Sequence, residues 1–269
     1  MSASVSRRTF LGIAGGAVSV LGLAACGGND AASDDANTAS GDADGKTYLV
    51  ATDTTFAPFE FTNEAGEFVG IDVDILAAIA ADQGFAYELN SLGFDAAVAA
   101  LESNQADAVI AGMSITPERE EKYDFSDAYY DSYVCAAAVD GGDVTSLEGL
   151  AGQKVACKTG TQSASWAESI KDQYGFEITY FDTSDMMYQD VLTGNTAACF
   201  EDYPVMAYGV AQGNGLSIIG TDEDEFATPY GFAVMKGENS ELIEMFNAGL
   251  ANIRESGEYD EIVAKYLEA

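Results

Sequence analysis

The residues able to do chemistry in this sequence are charged side chains that follow short apolar runs. Asp53 and Lys158 each follow such a run, as do the adjacent Glu201 and Asp202, and Arg119 stands in a polar segment after another. The sequence has no histidine, which removes the usual general base at neutral pH, the Ser-His and Cys-His nucleophile pairs and His-ligated zinc. Catalysis by Asp, Glu, Lys or Tyr stays open, but an enzyme is disfavoured, and no metal or cofactor is expected.

The composition favours a globular, acidic protein. The chain has 269 residues, of which 48% are hydrophobic, so one large core or two modest ones can form. Acidic residues number 45 against 11 Lys plus Arg, which gives a formal net charge of −34. Phosphate binding needs clustered Lys and Arg, so no nucleic-acid partner is expected.

The N-terminal region is predicted to be an export signal followed by a lipid attachment site and a linker. Residues 1–25 carry Arg7 and Arg8 before an apolar run that is shorter than the roughly 20 residues of a membrane-spanning helix. The arginine pair fits both a twin-arginine signal and a Sec signal, and these two routes stay open. The motif L-A-A-C that ends at Cys26 resembles a bacterial lipobox, so Cys26 is the expected lipidation site. Its acyl chains would anchor the exported protein to the outer face of the cytoplasmic membrane, with residues 26–45 as a flexible linker.

From Lys46 onward, short apolar runs alternate with stretches of helical period, which is the pattern of strand-helix-strand units. The sequence therefore predicts an α/β fold with mainly parallel sheets. Asp72 and Asp74, at the start of the first helix, are expected to satisfy its free N–H groups and its dipole. Predicted strands lie near residues 47–52, 85–90, 107–111, 153–157, 177–180, 197–200, 216–219 and 230–235, and predicted helices near 71–83, 94–103, 147–150, 161–173, 184–193, 203–212, 238–255 and 257–267.

A weak internal repeat suggests two similar lobes. The segments L-E-S-N-Q-A-D-A-V-I from Leu101 and L-T-G-N-T-A-A-C-F from Leu192 both end a helix, turn, and enter a strand. We expect residues 46–135 and 230–269 to form lobe 1 and residues 136–229 to form lobe 2. The two connections between the lobes would form a two-segment hinge.

Three further cysteines, Cys135, Cys157 and Cys199, are an odd number for an exported protein. Cys157 and Cys199 each lie in a short apolar run typical of a buried strand, so we favour small, buried, reduced side chains. One disulfide with one free thiol is the alternative, although adjacent parallel strands rarely offer the required geometry.

Ligands of open α/β sheets bind beyond the carboxyl ends of the strands, and the motifs at those ends resemble a known family. The segments A-T-D-T-T-F-A-P-F-E-F, G-I-D-V-D-I, A-G-M-S-I-T-P-E-R, Y-D-F-S-D-A-Y-Y and V-A-C-K-T-G-T occur in this order between about Tyr48 and Leu267. Together they are similar to the family 3 solute-binding proteins of polar amino-acid ABC importers, with the glutamine-binding branch as the closest resemblance. The resemblance implies a periplasmic-binding-protein-like fold, whose two lobes close on a free amino acid.

The resemblance also implies a role for each residue of the site, and the residue types agree with it. Arg119 would bind the ligand carboxylate bidentately, and Asp202 would bind its ammonium. Asp53 and Lys158 would address a side-chain amide. The other expected ligand-binding residues are Phe56 and Phe94 as walls, Ser114 and Thr161 as N–H donors, and Gly112, Gln162 and Glu201 beside them.

Glu201 is the main departure from the glutamine-binding pattern, because that branch has a histidine at this position. Gln162 also replaces a glycine, and Ser114 replaces a threonine. An additional carboxylate near the slot would repel a glutamate side chain and could admit lysine or arginine, although Lys158 opposes a cation. We therefore expect a polar neutral amino acid, with glutamine first.

Several of these residues also have ordinary structural interpretations. Arg119 lies among acidic residues and could form a surface ion pair, Asp202 could cap a helix, and Asp53 could belong to a turn. Phe56 and Phe94 could be core aromatics. The motifs favour the ligand-binding role for all five.

The resulting hypothesis is an extracytoplasmic lipoprotein that captures an amino acid between two lobes and delivers it, unchanged, to the permease of an ABC importer. We expect a monomer. One alternative is an exported enzyme such as a dehydratase on the same fold, with Glu201 or Asp53 as general acid. Another is a sensor domain that presents its ligand to a receptor.

Overall fold

Strands and helices alternate along residues 45–267, the part of the chain that the computed structural model describes. The predicted signal peptide, Cys26 and the linker up to residue 44 lie outside the described residues. None of the described helices has the length and apolar character that crossing a membrane requires. The strands are β1 (Thr47–Thr52), β2 (Thr55–Phe56), β3 (Glu60–Thr62), β4 (Phe68–Val69), β5 (Ala86–Ser91), β6 (Ala108–Val109), β7 (Tyr123–Phe125), β8 (Val134–Val139), β9 (Lys154–Lys158), β10 (Glu177–Phe181), β11 (Ala198–Asp202), β12 (Leu216–Asp222) and β13 (Ala233–Met235). The helices are α1 (Ile71–Gln83), α2 (Phe94–Glu102), α3 (Pro117–Glu120), α4 (Gln162–Tyr174), α5 (Ser184–Leu192), α6 (Tyr203–Ala211), α7 (Ser240–Ser256) and α8 (Glu258–Leu267), with a 3₁₀ turn at Leu147–Leu150.

Two five-stranded sheets carry the fold. In the first sheet, of order β5-β1-β6-β13-β7, β1 is parallel to β5 and β6, whereas β13 is antiparallel to β6 and β7. The second sheet, of order β10-β9-β11-β8-β12, has the same plan, with β8 antiparallel to β11 and β12. The sheets are therefore mixed rather than mainly parallel, because β8 and β13, the first strands after each crossing between the sheets, run against their neighbours.

Sequence signals at the helix ends fix the turns that follow the strands. Thr161 precedes α4, and its hydroxyl accepts the Ala164 N–H at 3.2 Å, which satisfies one free donor of the first turn. The helix ends at Gly175, which adopts the left-handed conformation with φ of 73°. Thr183 caps α5 in the same way. The turn between β9 and α4, which carries part of the expected binding site, is thus held at a defined angle.

Each sheet has its own apolar core. On the first sheet, Phe232 stacks on Phe246 of α7 with ring centroids 4.5 Å apart, and Ile75 of α1 is fully buried in the same cluster. On the second sheet, Trp166 of α4 packs edge-on against Phe200 of β11 at 5.0 Å. Close-packed cores of this kind deform little, so the strand ends hold their loops in fixed positions.

The chain crosses between the sheets twice, after β7 and before β13. The two crossing segments bond to each other, since the Tyr230 N–H donates to the Tyr130 carbonyl at 2.8 Å and the Tyr129 N–H donates to the Tyr230 carbonyl at 2.9 Å. Because β8 begins at Val134, the predicted boundary at residue 135 cuts this strand, and the first crossing lies earlier in the chain. The division into two lobes remains a prediction.

The two acidic residues at the start of α1 do not cap this helix, contrary to the expectation from the sequence. Asp74 Oδ2 instead accepts a hydrogen bond from Lys265 Nζ of α8 at 2.7 Å. Asp72 Oδ2 accepts hydrogen bonds from the Gly112 N–H and the Tyr129 hydroxyl, both at 2.8 Å. Both carboxylates therefore connect α1 to distant parts of the chain.

Cys135, Cys157 and Cys199 are free and buried in the second sheet, as the sequence favoured. A disulfide between any two of them is therefore wrong. Burial raises the pKa of each thiol, so the reactive thiolate form is suppressed.

Candidate functional site

The predicted binding residues lie at strand ends, on loops that face one another. Asp53 follows β1 and Arg119 lies in α3, whereas Lys158 ends β9 and Asp202 ends β11. Arg119, Lys158 and Asp202 meet around a pocket whose free volume is about 10 Å³, room for roughly one water molecule. Of the predicted ligand-binding residues, only Asp53 and Glu201 do not line this pocket. Its lining is Phe56, Phe94, Ala111, Gly112, Ser114, Arg119, Lys158, Thr161, Gln162 and Asp202.

A buried ion pair closes one end of the pocket. Lys158 Nζ lies 2.7 Å from Asp53 Oδ2 and 4.2 Å from the ring centroid of Phe56, and both charged side chains have at most 1% of their surface exposed. Burial alone would lower the pKa of Lys158, but the charges of Asp53 and Glu201 outweigh it and raise that pKa. Burial would likewise raise the pKa of Asp53, but Lys158 and the next two backbone N–H groups lower it. Both groups are therefore charged at neutral pH.

Arg119 is bound to backbone rather than to an acidic side chain. Its Nη1 donates to the Ser114 carbonyl at 2.8 Å, and its Nη2 donates to the Gly160 carbonyl at 3.0 Å. The guanidinium lies 5.4 Å from the ring centroid of Phe94. No ion pair among residues 45–267 includes Arg119, so the surface ion pair is not formed. The guanidinium keeps further N–H donors for an anion in the pocket.

Asp202 presents one occupied and one unoccupied carboxylate oxygen. The Tyr230 hydroxyl donates to its Oδ2 at 2.7 Å, whereas its buried Oδ1 has no hydrogen-bond partner in the described part of the chain. The side chain does not cap α6, although Asp202 is the residue that precedes this helix. Burial, with the nearby charge of Glu201, raises the pKa of Asp202 to about 7. An ammonium in the pocket would supply both the missing donor and the missing counter-charge.

Two backbone donors are also available. The N–H groups of Ser114 and Thr161 have no acceptor within the described residues. The Thr161 hydroxyl is occupied as the cap of α4 and donates to the Lys158 carbonyl at 2.9 Å. A ligand carboxylate would therefore meet Thr161 through its backbone and not through its hydroxyl.

Glu201 lies outside the pocket, and the expectation of an extra carboxylate beside the side-chain slot is not met. Its Oε2 accepts hydrogen bonds from Ser184 and Tyr188, both at 2.8 Å. Its Oε1 accepts from the Asp202 N–H at 3.1 Å. Adjacent residues of a strand point to opposite faces, so Glu201 faces α5 while Asp202 faces the pocket. Glu201 influences the site through its charge on Asp202 and Lys158.

Comparison with known proteins identifies the family. The model of the bacterial extracellular solute-binding proteins, family 3, matches residues 48–269. This chain belongs to that family. A probable histidine-binding protein of Neisseria gonorrhoeae is 33% identical over 255 residues, which cover 93% of this chain and 92% of that protein. An ancestral arginine-binding protein bound to arginine is 37% identical with a TM-score of 0.75, covering 82% of this chain and 98% of that one. The same kind of ancestral protein bound to glutamine is 36% identical with a TM-score of 0.74, covering 83% and 98%.

The expected periplasmic-binding-protein-like α/β fold is thereby confirmed, and the chain is an extracellular solute-binding protein. Its sequence alone did not point to every residue of the site. Ala111 lines the pocket, and Tyr230 holds Asp202 together with Ser132, whose hydroxyl donates to the Tyr230 hydroxyl at 3.0 Å. Nothing in the sequence marks Ala111 as a site residue, because its side chain is small and apolar. Nothing marks Tyr230 either, because it lies 28 positions from its partner Asp202.

Gly112 is required by the geometry of this pocket. Its φ is 53°, in the left-handed region, and a Cβ at this position would lie 2.4 Å from the Phe56 ring. Both facts disfavour any other residue. The Phe56 ring therefore packs directly against the backbone of the loop from Gly112 to Ser114, with no space for a side chain at Gly112.

The substitution Gly112→Ala should destabilise the protein by about 2–5 kcal/mol, because backbone strain and the clash with Phe56 add. Urea denaturation measures the change. Gly66→Ala is the matched control, since Gly66 also has a positive φ, 83°, but no atom within 4 Å of the added Cβ. Gly66→Ala should lower the free energy of unfolding only by the cost of the left-handed backbone conformation, about 1–2 kcal/mol. Equal effects of the two substitutions would show that the contact with Phe56 does not restrict Gly112.

Proposed function

We propose that this solute-binding protein captures a free amino acid with a neutral polar side chain, glutamine first, and delivers it to the permease of an ABC importer. The observation that carries the proposal is the buried Asp202 Oδ1, which has no partner in residues 45–267 and lies in a pocket that also holds Arg119. A zwitterionic amino acid offers its ammonium to Asp202 and its carboxylate to Arg119.

Charge balance supports a neutral side chain. With the ligand ammonium on Asp202 and its carboxylate on Arg119, the charged pair that remains beside the pocket is Asp53 and Lys158, and these two neutralise each other. The charge of Glu201 also remains, but this carboxylate lies outside the pocket and is bound by Ser184, Tyr188 and the Asp202 N–H. A glutamine amide can accept from the Lys158 ammonium and donate to the Asp53 carboxylate, so it satisfies both groups without adding charge. A glutamate side chain would face Asp53, and a cationic side chain would face Lys158.

Ligand entry requires the pocket to open. Its free volume of about 10 Å³ is far smaller than an amino acid. Two contacts join the part of the chain around the first sheet to the part around the second sheet, which we call the two sides. They are the ion pair between Asp53 and Lys158 and the hydrogen bond from Arg119 to the Gly160 carbonyl. Separation of the two sides at the crossing segments would break these bonds, admit the ligand and let it replace them on closure.

A cationic amino acid is the second candidate, because an ancestral arginine-binding protein bound to arginine shares 37% identity with this chain. Lys158 disfavours such a ligand, because its ammonium already binds the Asp53 carboxylate that a guanidinium would need. The same fold also hosts the glutamine complex of an ancestral relative at 36% identity. The ligand preference therefore depends on how firmly Lys158 holds Asp53.

We also propose that the protein is exported and anchored through a lipid on Cys26 to the outer face of the cytoplasmic membrane. The lipobox-like motif and the Gly-, Ala-, Ser- and Asp-rich residues after it support this location. The protein would act as a monomer, and the amino acid would leave it chemically unchanged.

Thermal unfolding in the presence of each common amino acid tests the proposed function. A ligand at a hundred times its dissociation constant should stabilise the protein by about 2.7 kcal/mol, and we expect that shift with glutamine. Calorimetry on Arg119→Ala should then show a loss of about 2–5 kcal/mol in binding, because the ligand carboxylate loses its charged partner. Lys171→Ala, at an exposed ammonium on α4, is the control and should bind normally. Absence of a shift across the whole panel would reject amino-acid binding.

The substitution Lys158→Met should change the ligand preference. It leaves Asp53 without its cation, so glutamine affinity should fall while arginine gains a carboxylate, and the affinity ratio of arginine to glutamine should rise at least about thirtyfold. Competition calorimetry measures the ratio. Lys154→Met, at the exposed start of the same strand, is the control, and the double change Asp53→Asn with Lys158→Met removes both buried charges and should lose the arginine gain. An unchanged ratio would mean that Lys158 does not set selectivity.

A further inference from the structure

Glu60 is a fully buried carboxyl group that the proposed binding mechanism does not use. It lies in β3 opposite Phe56 of β2, a residue that lines the pocket. Neither of its oxygens has a hydrogen-bond donor within the described residues, and no ion pair there includes it. An ionised carboxylate in such surroundings is strongly disfavoured, so the group holds a proton.

The neighbour of Glu60 is the carboxylate of Asp72 on α1. Asp72 Oδ2 accepts hydrogen bonds from the Gly112 N–H and the Tyr129 hydroxyl at 2.8 Å each. Its buried Oδ1 accepts none from the N–H and hydroxyl groups of residues 45–267. The side chains of Glu60 and Asp72 are within hydrogen-bonding reach of each other. Two donors on Asp72 favour its ionised form, and none on Glu60 does, so the proton belongs to Glu60 and points at Asp72 Oδ1.

The charges that face Glu60 come from three elements. Burial raises its pKa well above the usual range, and the charges of Asp72 on α1 and Asp53 after β1 raise it further. Lys158 of β9 acts in the opposite direction, but its ammonium is already bound to Asp53. Burial also raises the pKa of Asp72 to about 6, against the effect of its hydrogen bonds.

We propose that Glu60 is a positioning residue whose carboxyl donates a hydrogen bond to Asp72 and thereby holds the loop from Gly112 to Ser114 in place for the ligand carboxylate. The path is short, because Asp72 binds the N–H of Gly112, which lines the pocket, and Ser114 offers its free N–H two residues later. This role rests on the proposed function. The shared proton itself is a property of the unliganded protein and can be tested without any ligand.

The shared proton makes stability depend on pH in a defined direction. Above the ordinary glutamic acid pKa of 4.5, the unfolded chain loses this proton while the folded protein keeps it. The folded state then binds more protons than the unfolded state, so stability falls as pH rises until the pKa of folded Glu60 is reached. One proton corresponds to about a tenfold change in the folding equilibrium constant per pH unit.

Urea unfolding from about pH 5.5 to pH 8 tests the shared proton in the wild type and in Glu60→Gln, whose amide donates to Asp72 but does not titrate. The folding constant of the wild type should fall relative to that of Glu60→Gln, by up to about tenfold per pH unit. Glu64→Gln, at an exposed glutamate of the neighbouring turn, is the control and should follow the wild type. Superimposed profiles of the wild type and Glu60→Gln would overturn the proposal.

Calorimetric titration with glutamine and with arginine tests the positioning role. Glu60→Gln should keep the affinity of the wild type within about threefold, and Glu60→Met, which packs similarly but donates nothing, should lose about tenfold or more. Equal affinities of the two variants would show that the hydrogen bond does not position the loop. A wild type that binds none of the common amino acids would overturn the proposed function and the positioning role with it, while the unfolding profiles would still decide the shared proton.

Discussion

The buried ion pair between Asp53 and Lys158 is the interaction on which the rest of the site depends. Two charges that are removed from water need each other, and removal of one leaves the other at a cost of about 3–5 kcal/mol. Asp53 stands at the end of β1 in the first sheet, and Lys158 stands at the end of β9 in the second. The pair therefore fixes the approach of the two sheets, and in the proposed function it also sets the charge that a ligand side chain would meet.

The buried carboxyl groups of this acidic protein differ in the partners that they have. Asp53 is paired with a cation, Glu201 is satisfied by two hydroxyl groups and a backbone N–H, and Glu60 has neither. Asp202 lies between these cases, with one oxygen bound to Tyr230 and the other without a partner among the described residues. Because the desolvation cost is similar for all of them, the charge state of each carboxyl group depends on the donors and charges next to it. Asp202 and Asp72 each have one oxygen without a partner among the described residues, and of these two only Asp202 lines the pocket, where an external cation can reach it.

The sequence was sufficient for the residues that combine a strand end with a charge, but not for the contacts that tertiary structure alone creates. Lys158 and Asp202 could be placed together because they end neighbouring strands, whose carboxyl ends share one edge of the second sheet. Arg119 follows a strand of the first sheet, and only the family motifs placed it with them. The strands β2, β3, β4 and β7 and the short helix α3 were missed, since two to four residues show no periodicity. The six-residue strand β8 was also missed, and its apolar residues do not alternate with polar ones. The position of Glu201 on the α5 side of β11, away from the pocket, depends on which face of the strand each residue takes, and the apolar run before it does not alternate. Asp72 was assigned to its own helix end, because the tertiary partners Gly112 and Tyr129 lie far away in sequence.

Tyr230 connects the proposed ligand site to the two crossing segments. Its backbone bonds to Tyr130 and Tyr129 across the two crossings, and its hydroxyl donates to Asp202 while accepting from Ser132. A ligand ammonium on the free oxygen of Asp202 would therefore act on a carboxylate that is already fixed to the crossing segments. Closure is favoured only by contacts that the ligand makes in the closed form and not in the open one. The ammonium contact meets this condition if Asp202 and Arg119, which line one pocket of about 10 Å³ in this structure, reach the same ligand only when the two sides approach.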